Sequence, residues 1–227
     1  HMFSEKDLKQ FKEKGIAVEQ VTQQVENFRK GFPYMNIVKA ATVNDGIRKP
    51  GKQESNEAVN TFETHRHKLN LLKFVPASGA ATRMFKVLFA FLNDKQTDEI
   101  DSTEAMKNRG YEAVYNFFNN LGRFAFYEEL QEVLHSQGYD LEKLMEEGAY
   151  KTILRYFLQD GLEYGKRPKG LLKFHRYKNT TRTPLEEHLV EAANYTKSGS
   201  TARLHFTVSP EHQKRFENLI DEVKDTY

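Results

Sequence analysis

Apolar residues recur at helical spacing over residues 4–30, where Leu8, Phe11, Val18, Val21, Val25 and Phe28 follow Ser4, a residue suited to cap a helix. Gly31-Phe32-Pro33 ends that unit. Residues 40–53, with Asn44-Asp45-Gly46 and Lys49-Pro50-Gly51, read as loop, and a short helix is predicted around 54–66. The pattern then changes. Leu71 to Val75 is nearly all apolar, as in a short buried strand, and runs through Ala77-Ser78-Gly79-Ala80-Ala81 into Thr82, Arg83 and an apolar helix ending near Leu92. That helix is apolar almost all round, so it must be covered on more than one side.

The following 70 residues can supply the cover. Segments around 102–120, 125–136 and 140–159 have helical periodicity and are punctuated by Gly122, Gly138 and Gly148, so 95–160 reads as a helical insertion. Downstream, Thr183-Pro184-Leu185-Glu186 places Thr at the N-cap, Pro at N1 and Glu at N3, a capping box that starts a helix running to about Lys197. Ser198-Gly199-Ser200 is a turn and Arg203 to Val208 a strand. Ser209-Pro210-Glu211 then opens a last helix carrying Phe216, Leu219, Ile220 and Val223. Strand, turn, helix, then strand and helix again is the order of a parallel α/β unit.

Composition narrows the class. At 227 residues the chain can bury a substantial core. Lys and Arg number 34 against 32 acids, a balance that argues against general nucleic-acid coating or adsorption to a membrane. The absence of Cys excludes a disulfide framework, a thiolate metal site and a Cys nucleophile, and fits a cytoplasmic location. No apolar run approaches the roughly 20 residues that span a bilayer. His1-Met2 reads as a tag remnant, and Phe3-Ser4-Glu5-Lys6-Asp7 lacks the apolar core of a secretory signal.

Charge placement is more telling than its total. Asp94 to Glu163 holds 15 acids against 7 bases, whereas no acid falls between Glu163 and Glu186. That interval carries Lys166, Arg167, Lys169, Lys173, Arg176, Lys178 and Arg182. Two segments thus become candidates for anion chemistry. A strand that passes through a glycine turn into a helix N-terminus presents free N–H groups and a positive dipole end, and Arg83 adds a fixed guanidinium. In Arg167-Pro168-Lys169-Gly170-Leu171-Leu172-Lys173, the Pro stiffens the backbone and aims the Lys169 ammonium. The bland alternatives are a plain strand-to-helix turn in which Gly79 supplies an unusual backbone angle, and a solvated basic loop. The joint pattern favours phosphate, because phosphoryl chemistry needs several fixed cations around one charge-dense group. The spacing matches neither a Walker loop nor the dinucleotide fingerprint. The histidines, including His65, His67, His205 and His212, have no carboxylate at metal-binding spacing, and the aromatics from Tyr111 to Tyr127 read as core.

The segment PASGAATRMFK resembles the glycine-rich loop of the sugar-1-phosphate nucleotidyltransferases, and RPKGLLKFHRYKNTTRTPLEEHLVEAA resembles their following Pro-Lys segment. The Pro-Lys-Gly wording is similar to the UDP-sugar pyrophosphorylase branch. The whole chain, including GFPYMNIVKAATVNDGI, also resembles the N-terminal part of a larger bacterial family of unknown function. The resemblance implies that Ala77, Ser78, Gly79, Ala80, Ala81 and Thr82 wrap nucleotide phosphates, that Arg83 holds the leaving pyrophosphate, and that Lys169, with Gly170 and Lys173 beside it, holds the sugar phosphate and α-phosphate. The implied reaction joins a nucleoside triphosphate and a sugar phosphate into a sugar nucleotide and pyrophosphate, with Mg²⁺ neutralising the oxygens. The chain departs from the pattern in three ways: Ser78 and Ala80 stand where glycines are usual, the insertion separates Arg83 from Lys169, and the family's metal-binding aspartate lies beyond a further strand while the chain ends at Tyr227. These departures leave open a fragment of a longer enzyme, or a degenerate module that binds a metabolite or protein.

The expected architecture is therefore α/β and helix-rich, with an N-terminal helical region and loop over 1–68 and a partial nucleotidyltransferase-like, Rossmann-type parallel sheet over 69–227 that carries the insertion 95–160. An incomplete sheet leaves an edge open to a second copy, so a homodimer is a further expectation.

Overall fold

The computed structural model describes residues 2–227, and the chain divides into two compact units, one ending at Glu57 and the other spanning Ala58–Tyr227. In the first unit α1 (Glu5–Glu13) opens with the expected Ser4 cap, whose hydroxyl accepts from the Asp7 N–H in a reciprocal capping box. The helical unit expected over 4–30 is made of two helices. Gly15 adopts φ +63° after α1, and the Gly15 and Ile16 N–H groups bond back to Lys12 O and Phe11 O. This is the double bond of a Schellman stop, and α2 (Val18–Lys30) starts afresh. β1 (Thr42–Val43) and β2 (Gly46–Ile47) pair across Asn44-Asp45 inside the expected loop, and α3 (Lys52–His65), close to its expected position, runs across the boundary at Glu57.

In the second unit β3 (Lys73–Pro76) leads to α4 (Lys86–Asn93). The insertion is five short helices: α5 (Thr103–Asn108), α6 (Glu112–Asn119), α7 (Tyr127–Ser136), α8 (Leu141–Glu146) and α9 (Tyr150–Arg155), the last continued by a π-turn over Tyr156–Asp160. The two-residue strands β4 (His175–Arg176) and β5 (Thr181–Arg182) form a hairpin before α10 (Pro184–Tyr195). A second small hairpin, β6 (Lys197–Ser198) and β7 (Thr201–Ala202), precedes β8 (Leu204–Thr207) and α11 (Pro210–Val223). The fold is mixed α/β and helix-rich, and each sheet among the described residues has two strands. β3 pairs with β8 in parallel, Lys73 opposite Leu204 and Pro76 opposite Thr207, so the two strands expected from the sequence are partners across the helical segment.

The core lies in the helical segment. Phe85, Phe91, Met106, Val114, Phe117, Phe118, Phe126, Leu130, Ile153, Phe157 and Tyr164 are all buried in one cluster. The aromatics expected as core do stack there: Phe126 sits 4.5 Å from Phe157 and 5.4 Å from Tyr164, ring centre to ring centre. α4 packs against α6 and α9, which bury Leu88 and Phe91. Its other side is not covered as expected. Met84 and Val87 remain about half exposed along an open apolar groove that also carries Phe124 and Phe174.

The capping box at α10 is present as read. The Thr183 N–H donates to Glu186 at 2.7 Å, the Glu186 N–H donates to the Thr183 hydroxyl at 3.3 Å, and both residues are buried. α10 is tied to β3 by an ion pair between Lys73 and Glu191, with the Tyr195 hydroxyl 2.9 Å from the same ammonium.

Two outcomes test this packing. Gly148 has φ +70°, and a Cβ there would lie 2.3 Å from the Asp101 carbonyl oxygen. Gly148→Ala is expected to cost about 2–4 kcal/mol, the left-handed penalty plus displaced backbone, read as a lower urea midpoint. The hydrogen bond from Lys73 holds the Glu191 carboxyl down to about 2 from its ordinary 4.5, against a smaller opposing effect of burial. A depressed carboxyl stabilises the fold above the unfolded value and loses that contribution as pH falls. The stability gap between wild type and Glu191→Gln is therefore expected to be constant above about pH 5 and to close toward pH 2 in denaturant titrations. The Glu191 side chain is 41% exposed, so screening keeps the gap small.

Candidate functional site

The two segments singled out in the sequence, roughly 90 residues apart, are neighbours. The last ladder bond of β3, from Ala77 N–H to Thr207 O at 2.8 Å, leaves Ser78, Gly79 and Ala80 on an exposed loop. Ala80 forms an antiparallel bridge with Pro168, the Lys169 N–H donates to Gly79 O at 3.0 Å, and the Thr82 hydroxyl lies 3.4 Å from Gly165 O. These contacts form a seam between loop and basic segment. Among the described residues the N–H groups of Ser78, Gly79 and Ala80 donate to no protein acceptor.

Local packing explains why the basic segment lies there. At Gly165 a Cβ would fall 2.3 Å from the Phe89 ring and 2.9 Å from Leu158 O, so only glycine lets the chain pass this close to α4. At Gly170 a Cβ would come within 3.1 Å of Phe216 on α11. Gly170, expected at the substrate, therefore has a packing role against Phe216. Pro168 between them is buried with an extended backbone, φ −66° and ψ 146°, as its sequence context requires. Lys169 follows on the exposed side, and its ammonium has no ion-pair or hydrogen-bond partner among the described residues.

Arg83 departs from expectation. Met84 N–H bonds to Ala81 O and Lys86 N–H to Arg83 O, so residues 82–85 form a tight turn and α4 begins three residues later than Arg83. Ala81 and Phe85, at each end of the turn, are both sunk in the core. Arg83 thus stands on the turn before the helix rather than inside its first turn. Its guanidinium is exposed and, like Lys169, has no partner among the described residues. Gly79 is also not explained by the fold: its φ is outside the left-handed region and a Cβ would meet nothing within 4 Å. The reading in which Gly79 serves an unusual backbone angle therefore fails.

Lys173 does not join this seam. Its ammonium pairs with Glu129 at 2.9 Å, and its N–H donates to the Tyr164 hydroxyl at 3.1 Å. Burial pushes that hydroxyl above the ordinary tyrosine range, and the adjacent Glu129 charge pushes it further. Lys173 and Arg167 instead line a cavity of about 560 Å³ bounded by α7, α10 and α11. The basic run thus has two faces, one at the seam and one at the cavity. The cavity could not be read from the sequence, because Glu129, Thr183 and Arg215 reach it from three separate helical regions.

No group of three or more His, Asp or Glu side chains is arranged to hold a metal ion among the described residues. His205, for one, stacks on Phe74 at 5.0 Å. Likewise, among them no helix is long and apolar enough to cross a membrane. No curated protein and no solved structure matches the chain. Residues 4–227, nearly the whole chain with both the seam and the cavity, match the family described as Domain of unknown function (DUF4301), and the chain belongs to that family.

Proposed function

We propose that the seam between residues 77–83 and 165–170 binds the phosphates of a nucleotide, in the manner of a sugar-1-phosphate nucleotidyltransferase. The observation that carries this reading is the joining, backbone to backbone, of two segments that bear two unpaired cations and an unforced glycine. Arg83 and Lys169 stand on segments joined by the Ala80–Pro168 bridge, and neither is neutralised by a protein carboxylate. Gly79 leaves open space beside three N–H groups without protein acceptors, donors of the kind that phosphate oxygens take up. Lys169 would act as a point charge on one phosphate and Arg83 as a planar fork on the next. On this reading β3, β8 and their flanking helices are the remnant of a nucleotidyltransferase-like parallel sheet, and a sugar phosphate is the second substrate.

Mg²⁺ fits the seam poorly as a protein-held ion. No Asp or Glu occurs in 77–93 or 164–185, so the seam offers no carboxylate ligand. This observation favours a second reading, a module of the same descent that binds nucleotide or metabolite without turnover. Pyrophosphate release separates the two: the enzyme reading requires it in the presence of a triphosphate and a sugar phosphate, and the module reading requires binding without it.

The test is thermal unfolding of the chain with ATP, GTP, CTP and UTP, each with and without Mg²⁺. Wild type is expected to be stabilised by at least one nucleotide. Arg83→Ala and Lys169→Ala are expected to lose that response, while their nucleotide-free stability stays within about 0.5 kcal/mol of wild type, because both side chains are exposed and unpaired. Retention of the full response in both variants overturns the proposal. Gly79→Ala adds a steric readout: its methyl group meets nothing in the protein, so folding is expected to be unaffected while nucleotide affinity falls.

A further inference from the structure

We infer that the cavity bounded by α7, α10 and α11 is a second binding site, separate from the seam, for a zwitterionic amino-carboxylate such as an amino acid or dipeptide. The argument is an accounting of the charges that face it. Lys173 is neutralised by Glu129 at 2.9 Å, and Arg215 by Glu163 at 3.3 Å. Glu186 is committed to the Thr183 cap and accepts a further bond from the Tyr227 hydroxyl at 3.2 Å. Two charges remain. Arg167 makes no side-chain hydrogen bond or ion pair among the described residues, and its Nε is fully buried without a partner. Glu222, on the α11 wall, is likewise unpaired there. The two do not neutralise each other, since they are farther apart than the 4.0 Å of an ion pair.

A guanidinium with a buried, unsatisfied N–H is costly, and the fold offers no internal group to relieve it. A ligand carboxylate in the cavity offsets that cost by pairing with the same guanidinium through its terminal nitrogens, since Nε itself is closed to solvent. The remaining negative charge at Glu222 then selects a ligand that also carries an ammonium. A dianionic phosphate fits less well, because the paired glutamates leave no surplus positive charge beyond Arg167 itself. The volume of about 560 Å³ lies in the range of small-molecule pockets and leaves room for a side chain or a second residue. Leu171, Leu219 and Val223 supply an apolar wall for that part of the ligand. The site does not depend on the nucleotide reading, since Arg167 lines the cavity and neither Lys169 nor Arg83 does.

The test is thermal unfolding of the whole chain with the protein amino acids singly and with dipeptides as a separate arm. At about a hundredfold excess over Kd, at least one of these ligands is expected to raise Tm by about 5–10 °C. The N-acetyl and carboxamide derivatives of that ligand are expected to give no shift, as each removes one of the two charges. Arg167→Gln and Glu222→Gln are both expected to abolish the shift. Glu222 is exposed and unpaired, so its variant keeps the test sound even where Arg167→Gln weakens the fold. Nucleotide response in Glu222→Gln is expected to equal that of wild type, which separates failure at the cavity from failure at the seam. No shift with any amino acid or dipeptide overturns the inference, as does a shift that survives in Glu222→Gln or with the N-acetyl derivative.

Discussion

Tyr164 is the joint on which the arrangement of the second unit depends. Its ring is 1% exposed and packs in the aromatic cluster, 5.0 Å from Phe157 and 5.4 Å from Phe126. A buried tyrosine hydroxyl must find partners, and this one accepts from the Lys173 N–H and lies 3.3 Å from Glu129. One side chain thus anchors the basic segment to the helical core at its start and its end. Gly165 tightens the same anchorage by allowing contact with Phe89 that a methyl group would block. Between Tyr164 and Lys173 the chain has little freedom, and its course past the Gly79 loop follows from that restraint.

The restraint also explains how one run of positive charge comes to serve two places. Past buried Pro168 the Lys169 N–H bonds to the loop after β3 and its side chain is exposed, while Arg167 and Lys173 line the cavity. A run with no acid of its own cannot neutralise itself. Lys173 is neutralised by Glu129 on a distant helix, and Lys166 approaches Glu163, whereas Lys169 and Arg167 keep their charge unpaired among the described residues. Charge left unpaired on a pinned backbone differs from charge on a solvated loop, because the ordering entropy has already been met by the fold. Arg83 is set out in a comparable way, held by the buried Ala81 and Phe85 on either side of its turn.

Much of the local structure was legible because its signals are local. The Thr183–Glu186 cap, the strand after Leu71 and its later partner near Arg203 all stand where their residues place them. The misreadings have physical causes of the same scale. Gly15 ends a helix through a left-handed turn that apolar periodicity runs straight across, and the 82–85 turn, closed by bonds three residues apart, delays α4 to Lys86 although the apolar pattern runs through it. The nearly all-round apolar pattern of α4 suggested cover on more than one side; α6 and α9 supply it, yet Met84 and Val87 border an open groove, since periodicity counts apolar residues but not the helices available to meet them.

What the chain determines by itself is the set of parts: a glycine-bearing loop after a strand, a cation-rich segment stiffened by proline, and an aromatic-rich helical stretch between them. Helix caps, strand propensity and charge runs act over a few residues, so they can be read in order along the chain. Which cations stay unpaired was decided only by tertiary structure. Lys173 looked equivalent to Lys169 until Glu129 met it, and Gly170 looked like a ligand glycine until Phe216 covered it. Pairing of charges and filling of space depend on groups from distant segments arriving within a few ångströms, and no spacing along the chain encodes that meeting.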